Sequence, residues 1–99
     1  MNFADLVSQK IREKGPLAVG LDPHLELLPP YLLEKWFREK GKTLDALALC
    51  VAEFNHLVLR AVADVVGIVK IQMAFYEQLG VPGMVALKST MNEVRNKGL

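Results

Sequence analysis

Two residues of this 99-residue chain have types and positions that could do chemistry, Asp22 and Lys70. Asp22 follows the uncharged apolar run Leu17–Leu21, which Gly15-Pro16 precedes and Pro23 stops. Such a run is typical of a short strand that is buried on both faces, as in a parallel sheet. A carboxylate at the C-terminal end of such a strand is a candidate ligand contact. Asp before Pro is also common in turns, and the local signal alone favours the turn.

Lys70 lies inside a second β-type run, residues 68–72, between β-branched neighbours. A fully buried lysine is rare unless its charge is paired. The ammonium group must therefore either reach solvent at a sheet edge or point into a polar site. The residues themselves leave both interpretations open.

Composition narrows the classes of function. The chain is 52% hydrophobic and carries a formal net charge of +1, which predicts at most one small domain. We treat residues 1–99 as one partial domain. Without a basic run we expect no binding to nucleic acid or to an anionic membrane surface. The N-terminus lacks a signal-peptide pattern, and no apolar run approaches the roughly 18 residues of a membrane span. These features predict a cytoplasmic protein.

Metal and disulfide chemistry have little support in the sequence. Cys50 is the one cysteine, so an internal disulfide and a Cys-cluster zinc site are excluded, and its apolar helical surroundings predict a buried structural thiol. His56 has no second His or Cys at ligand spacing, which predicts a surface residue. The cysteine and histidine residues themselves therefore give no sign of a metal site.

Apolar periodicity predicts how the chain is organised. Helices are expected at residues 3–14, 31–40, 44–64 and 82–97, strands at 17–21 and 68–72, and the start of a third strand at Leu99. Asn2 is the expected N-cap of the first helix, with Asp5 completing a capping box. In the third helix one apolar stripe is expected to pack inwards and one polar stripe to face solvent. The apolar stripe is Leu47, Val51, Phe54, Val58, Ala61 and Val65, and the polar stripe is Glu53, His56, Arg60 and Asp64.

Strands that alternate with helices imply right-handed βαβ units and a parallel sheet. Two strands make a poor sheet, because both flanks remain unpaired edges. A (β/α)₈ barrel takes about 250 residues. The pattern is thus that of the opening of a barrel or of about a third of a doubly wound domain.

Two runs, in this order and at this distance, form a specific pattern. They are Val19-Gly20-Leu21-Asp22-Pro23-His24 and Val69-Lys70-Ile71-Gln72-Met73-Ala74-Phe75-Tyr76-Glu77, the second followed by Gly80. The pair resembles orotidine 5'-phosphate decarboxylase, in particular the bacterial branch with a longer segment after the first strand. The ending Arg95-Asn96-Lys97-Gly98-Leu99 is similar to the stretch that leads into that family's third strand. The resemblance covers the whole chain, as about the first third of a family member.

The resemblance implies an α/β fold, the N-terminal part of a (β/α)₈ TIM barrel with an added N-terminal helix and an incomplete barrel. It implies a lyase of pyrimidine biosynthesis that converts orotidine 5'-monophosphate to UMP and CO₂ without metal or organic cofactor. The family's active site lies at the C-terminal ends of the strands and is shared across a homodimer.

The resemblance also implies roles for the two residues. Asp22 matches an aspartate that binds ribose hydroxyls, and Lys70 matches a lysine that touches the ribose and pairs with a carboxylate of the third strand. The family's Asp-x-Lys-x-x-Asp motif, whose lysine protonates the carbanion left by CO₂, does not occur in these 99 residues. We therefore expect the chain to be inactive alone.

Two other interpretations remain. The chain could be a non-catalytic assembly or interaction module built from barrel pieces. It could also be part of a related phosphosugar decarboxylase, although the Leu-Asp-Pro-His and Lys-Ile-Gln-x-Ala-Phe runs favour the first family. The sequence that encodes any residues after Leu99 would discriminate between them.

Overall fold

The computed structural model describes residues 2–99, which form a two-stranded sheet and a set of helices. The elements in chain order are α1 (Phe3–Lys14), β1 (Ala18–Leu21), a 3₁₀ helix (Leu25–Leu27), α2 (Pro30–Lys40), α3 (Leu44–Val62), β2 (Ile68–Ile71), α4 (Met73–Glu77) and α5 (Gly80–Asn96). The predicted helix 3–14 is confirmed at both ends, and the other predicted elements agree within about two residues.

Local chemistry explains where the helices begin. The Asn2 side chain accepts from the Asp5 amide at 2.8 Å and the Asp5 carboxylate accepts from the Asn2 amide, so the predicted capping box is confirmed. Thr43 caps α3 by accepting from the Ala46 amide at 3.1 Å. Pro30 opens α2, because a proline at the first helical position loses no intrahelical hydrogen bond.

The two strands pair in parallel, with Gly20 opposite Lys70 and Leu21 opposite Ile71. Because side chains alternate along a strand, residues in register project from the same face of the sheet. Leu21 and Ile71 pack towards the helices. Gly20 and Lys70 lie on the opposite face, where both are exposed.

The core lies between the strands' inner face and helices α2 to α5. Its members are buried apolar side chains: Leu28, Leu32, Ala48, Cys50, Val51, Tyr76, Leu79, Ala86 and Leu87. Each buried leucine contributes about 1.5–3 kcal/mol relative to an exposed one. The backbones of α4 and α5 approach closely at Gly83, where an added Cβ would overlap the Tyr76 carbonyl oxygen. The prediction of a buried thiol at Cys50 is confirmed, and burial raises its pKa to about 11.

Some sequence predictions are wrong. The first strand is not buried on both faces, because Leu17 and Ala18 are exposed where no third strand or second layer covers them in the described residues. Leu99 forms no strand, and its amide instead donates to the Val94 carbonyl of α5. The short helix α4, directly after β2, was not predicted.

The inward face of α3 also differs from the predicted stripe. Val51 is buried as predicted, but Ala61 and Val65 are exposed. Asn55 and Leu59 take the inward positions instead. Within the predicted polar stripe His56 is exposed as expected, whereas Glu53 is only half exposed, since Lys35 and Trp36 of α2 bond to it. The helix thus turns a slightly different face to the core than its apolar residues alone suggest.

Candidate functional site

Asp22 and Lys70 meet at the C-terminal ends of the paired strands. Lys70 lies opposite Gly20, and Asp22 follows two residues later on the same face. The Lys70 ammonium nitrogen stands 3.9 Å from the Asp22 carboxylate oxygen Oδ2. The fold therefore brings together two candidate residues that lie 48 positions apart in the sequence.

The pair is loose and open to solvent. The Lys70 side chain is 66% exposed and that of Asp22 is 33% exposed. At 3.9 Å the two groups attract each other electrostatically, but they are too far apart for a hydrogen bond. Lys70 can still donate three hydrogen bonds, and the carboxylate can still accept several. Such a pair can bind a ligand that carries hydroxyl groups, because each hydroxyl both donates and accepts.

The Asp22 carboxylate is partly enclosed at the end of β1. Its Oδ1 atom is buried and has no hydrogen-bond partner among residues 2–99. Its Oδ2 atom lies 3.1 Å from where a Cβ on Gly20 would stand, so the missing side chain at Gly20 leaves room for the carboxylate. The His24 amide donates to the Asp22 carbonyl at 2.8 Å across Pro23, which closes a tight turn after β1. Asp22 thus both begins a turn and faces Lys70, so the two readings of its sequence context are compatible.

Three residues that the sequence analysis did not select form a buried network behind this end of β1. The Tyr76 hydroxyl donates to the Leu21 carbonyl at 3.2 Å. The Asn55 amide nitrogen donates to the Tyr76 hydroxyl at 2.9 Å and to the Thr90 hydroxyl at 3.1 Å. All three side chains are almost completely buried. The network joins α3, α4 and α5 to the residue that precedes Asp22.

The sequence carried a signal for part of this network. Val51, Asn55 and Leu59 are spaced by four, so they share one face of α3, and an asparagine between two core residues needs hydrogen-bond partners. Nothing in the sequence indicated which partners those are. Burial raises the pKa of Tyr76 and the Asp22 charge acts in the same direction, while the hydrogen bond from Asn55 acts against them. The hydroxyl therefore stays protonated as a donor at neutral pH.

A second contact links the two strand exits. The rings of His24 and Phe75 meet edge to face with their centroids 4.4 Å apart. One ring follows β1 and the other lies in α4, directly after β2. Such pairs add about 0.5–1.5 kcal/mol beyond the apolar area that they bury. This contact holds the Asp22 turn against the segment that follows Lys70.

Other features of the molecule do not contribute to this site. A groove of about 430 Å³ runs between α3 and α5, and its lining is mostly apolar and includes neither Asp22 nor Lys70. Within residues 2–99, no three His, Cys, Asp or Glu side chains form a group that could hold a metal ion. None of the helices in that range combines the length and hydropathy that a membrane span needs.

Comparison with known proteins gives a consistent result over the whole chain. An orotidine 5'-phosphate decarboxylase of Rhodopirellula baltica is 40% identical over 100% of this chain, and one of Salinispora tropica is 36% identical over 98%. Along its length, the chain matches orotidine 5'-phosphate decarboxylases. The resemblance inferred from the two sequence runs is therefore confirmed. No model of a protein family matches the chain.

The match to these decarboxylases is partial on their side. The chain spans about a third of the length of the curated relatives, 32% of the Rhodopirellula protein and 31% of the Salinispora protein. A crystal structure from Streptomyces avermitilis, provisionally named orotidine 5'-phosphate decarboxylase, superposes with a TM-score of 0.69 and 31% identity. That superposition covers 97% of this chain and 30% of the other. The predicted fold class, part of a TIM barrel that is not closed, is confirmed.

Proposed function

We propose that these 99 residues are part of an orotidine 5'-phosphate decarboxylase. The reaction breaks the bond between the pyrimidine ring and its carboxylate, releases CO₂, and leaves an electron pair on the ring carbon that takes up a proton to give UMP. The main support is the similarity over nearly the whole chain to proteins of that name, together with a carboxylate and an ammonium group 3.9 Å apart at the strand ends.

In this proposal Asp22 and Lys70 bind the ribose of the nucleotide. The partly exposed Asp22 carboxylate and the exposed Lys70 ammonium offer an acceptor and a donor to neighbouring hydroxyls. Such contacts, remote from the reacting carbon, provide binding energy that the enzyme can use at the transition state. Lys70 is also the catalytic candidate of this chain, through its pairing with a carboxylate of the third strand in the complete barrel.

The remaining features of the proposal follow the same family. The complete protein is a cytoplasmic homodimer, acts on orotidine 5'-monophosphate, and needs neither metal nor organic cofactor. Residues 1–99 form one partial domain of it. The groups that protonate the ring carbon and bind the phosphate come from outside these residues, since the Asp-x-Lys-x-x-Asp motif does not occur among them.

The test is expression of the complete coding region that contains these residues, followed by assay with orotidine 5'-monophosphate in the presence of EDTA. We expect stoichiometric UMP and CO₂, and a coding sequence with Asp-x-Lys-x-x-Asp within about 15 residues after Leu99. That distance follows from the short loops that connect helices and strands in such units. A folded product that converts no substrate would refute the proposal and favour the non-catalytic module.

A further inference from the structure

The buried network behind β1 ends on the backbone next to Asp22. Tyr76 is fully buried, and its hydroxyl donates to the Leu21 carbonyl, one residue before the carboxylate. A tyrosine is not needed there for packing alone, since phenylalanine offers the same ring without a polar atom to satisfy. The role of the hydroxyl must therefore lie in the groups with which it forms hydrogen bonds.

The groups in this network determine the direction of each hydrogen bond, because some of them can only donate or only accept. The Leu21 carbonyl can only accept, so the Tyr76 proton points towards β1. The Tyr76 oxygen in turn accepts from Asn55, whose second amide proton goes to Thr90. This chain of bonds runs from Thr90 of α5 through Asn55 of α3 and Tyr76 of α4 to β1. It leaves the Tyr76 hydroxyl one orientation that satisfies both of its neighbours.

The end of β1 has few other restraints. β1 has β2 as its strand partner and no second neighbour within residues 2–99. Pro23 has no amide to donate, and the turn that follows rests on the bond from the His24 amide to the Asp22 carbonyl and on the ring contact of His24 with Phe75. The Tyr76 hydroxyl thus holds the strand on one side of Asp22, and the turn holds it on the other.

We propose that Tyr76 is a positioning residue for Asp22, and that Asn55 and Thr90 act by orienting its hydroxyl. This inference rests on the proposed function, because it assigns the buried network to the ribose contact of the same site. Removal of the hydroxyl lets the end of β1 shift, and the carboxylate then meets the nucleotide in a wider range of orientations. A misplacement of a binding group by about 1 Å is enough to weaken its contact to neighbouring hydroxyls.

The experiment measures UMP binding by calorimetry to the complete protein carrying Tyr76→Phe. We expect the dissociation constant to rise about tenfold, because binding must then restore the order at the end of β1 that the lost hydrogen bond supplied. Tyr31→Phe is the matched control, because it removes a hydroxyl from an exposed ring on α2, and it should bind UMP as the parent protein does. Equal affinities for the Tyr76→Phe variant and the parent protein would overturn the proposal.

A double-mutant cycle separates positioning from a general structural effect. If Tyr76 acts through Asp22, Tyr76→Phe should cause no further loss of UMP affinity in a protein that already carries Asp22→Ala. A purely structural role would lower the melting temperature alone, or would weaken UMP binding equally in both backgrounds. Additive losses therefore overturn the proposal.

Two further measurements keep the test decisive. If Tyr76→Phe does not fold, Thr90→Val removes the hydroxyl that accepts from Asn55, and it should weaken UMP binding in the same Asp22-dependent way. Unchanged affinity in that folded variant would overturn the proposal. If the parent protein neither decarboxylates nor binds UMP, the proposed function fails, and amide exchange at His24 then decides the positioning role by itself. Faster exchange in Tyr76→Phe than in Tyr31→Phe supports it, and equal exchange overturns it.

Discussion

At the scale of single residues, the arrangement of Lys70 and Asp22 suits ligand binding better than it suits stability. An exposed pair of this kind contributes about 0–1 kcal/mol, because water screens the attraction and both side chains lose conformational freedom. The 66% exposure of Lys70 also explains how a lysine is tolerated in a strand of apolar residues. The ammonium group therefore remains solvated.

We expect Lys70→Ala in the complete protein to lower kcat/KM for orotidine 5'-monophosphate by about two to four orders of magnitude. Bound substrate removes water from the charge pair, and the loss of one partner of such a pair costs roughly 3–5 kcal/mol. About 1.36 kcal/mol corresponds to each tenfold change in rate. The free energy of unfolding should change by less than about 1 kcal/mol. Lys88→Ala, at an exposed position of α5, is the control and should leave both quantities unchanged. Near-normal turnover of Lys70→Ala would restore the interpretation of an edge lysine.

Gly20 gives a second prediction at this scale. A Cβ at this position would stand 3.1 Å from Asp22 Oδ2, and Gly20 has no positive φ that would itself forbid alanine. Gly20→Ala should therefore displace the carboxylate and weaken UMP binding, with little effect on the melting temperature. Ala18→Val, on the same strand and face but further from the carboxylate, should leave binding intact. The idea fails if both variants bind UMP equally well.

At the scale of elements, a polar contact joins α2 to α3. Glu53 accepts from Lys35 at 3.0 Å and from the Trp36 indole at 2.8 Å. The hydrogen bond from Lys35 is the main reason that the pKa of Glu53 is lowered, with a further contribution from Trp36. A carboxyl group with a lower pKa in the folded state stabilises the fold above its unfolded pKa. That stabilisation is lost as the pH falls through the folded value.

Glu53→Gln should therefore reduce stability at neutral pH and flatten its acid dependence. The difference in unfolding free energy between parent and variant should be largest at pH 7, and it should shrink once the pH drops below the ordinary glutamate pKa of about 4.3. Urea titrations at pH 7 and near pH 3 measure this difference in unfolding free energy. Glu39→Gln, at an exposed position of the same pair of helices, serves as the control. A pH-independent difference would show that the ionised carboxylate contributes nothing.

At the scale of the whole molecule, residues 2–99 bury one face of the sheet and leave the other open. The N-terminal helix shows the same incompleteness, because none of its residues is buried and Phe3 is 80% exposed. Strand edges without partners and apolar faces without cover favour association with other chains. In a closed barrel, further strands and helices would cover these surfaces.

We expect the 99-residue chain alone to self-associate and to show no decarboxylation. Sedimentation should give species heavier than the 11.0 kDa monomer. Co-expression with the remaining part of the coding region, as a separate chain, should give a soluble complex that forms UMP without added metal. Asp22→Ala in that complex should bind substrate more weakly. A folded complex without activity, or a 99-residue monomer with a concentration-independent melting temperature, would contradict this prediction.

The sequence by itself specified most of the elements and the two candidate site residues. Asn2 and Asp5 specify the start of α1 through contacts three residues apart, and Gly15, Gly41 and Gly98 follow three helices closely. Asp22 and Lys70 could be selected because each is a charged residue next to or inside an apolar strand. Such signals are local, so a short window of sequence contains them.

Only the tertiary structure decided what surrounds those residues. The register that sets Lys70 opposite Gly20, the 3.9 Å approach to Asp22, and the bond from Tyr76 to Leu21 all join positions far apart in the chain. Helical periodicity placed the buried face of α3 approximately but missed Asn55, because which side chain turns inwards depends on partners from α4 and α5. Burial on both faces of β1 was wrong for the same reason, since cover depends on the neighbours that a strand has in space.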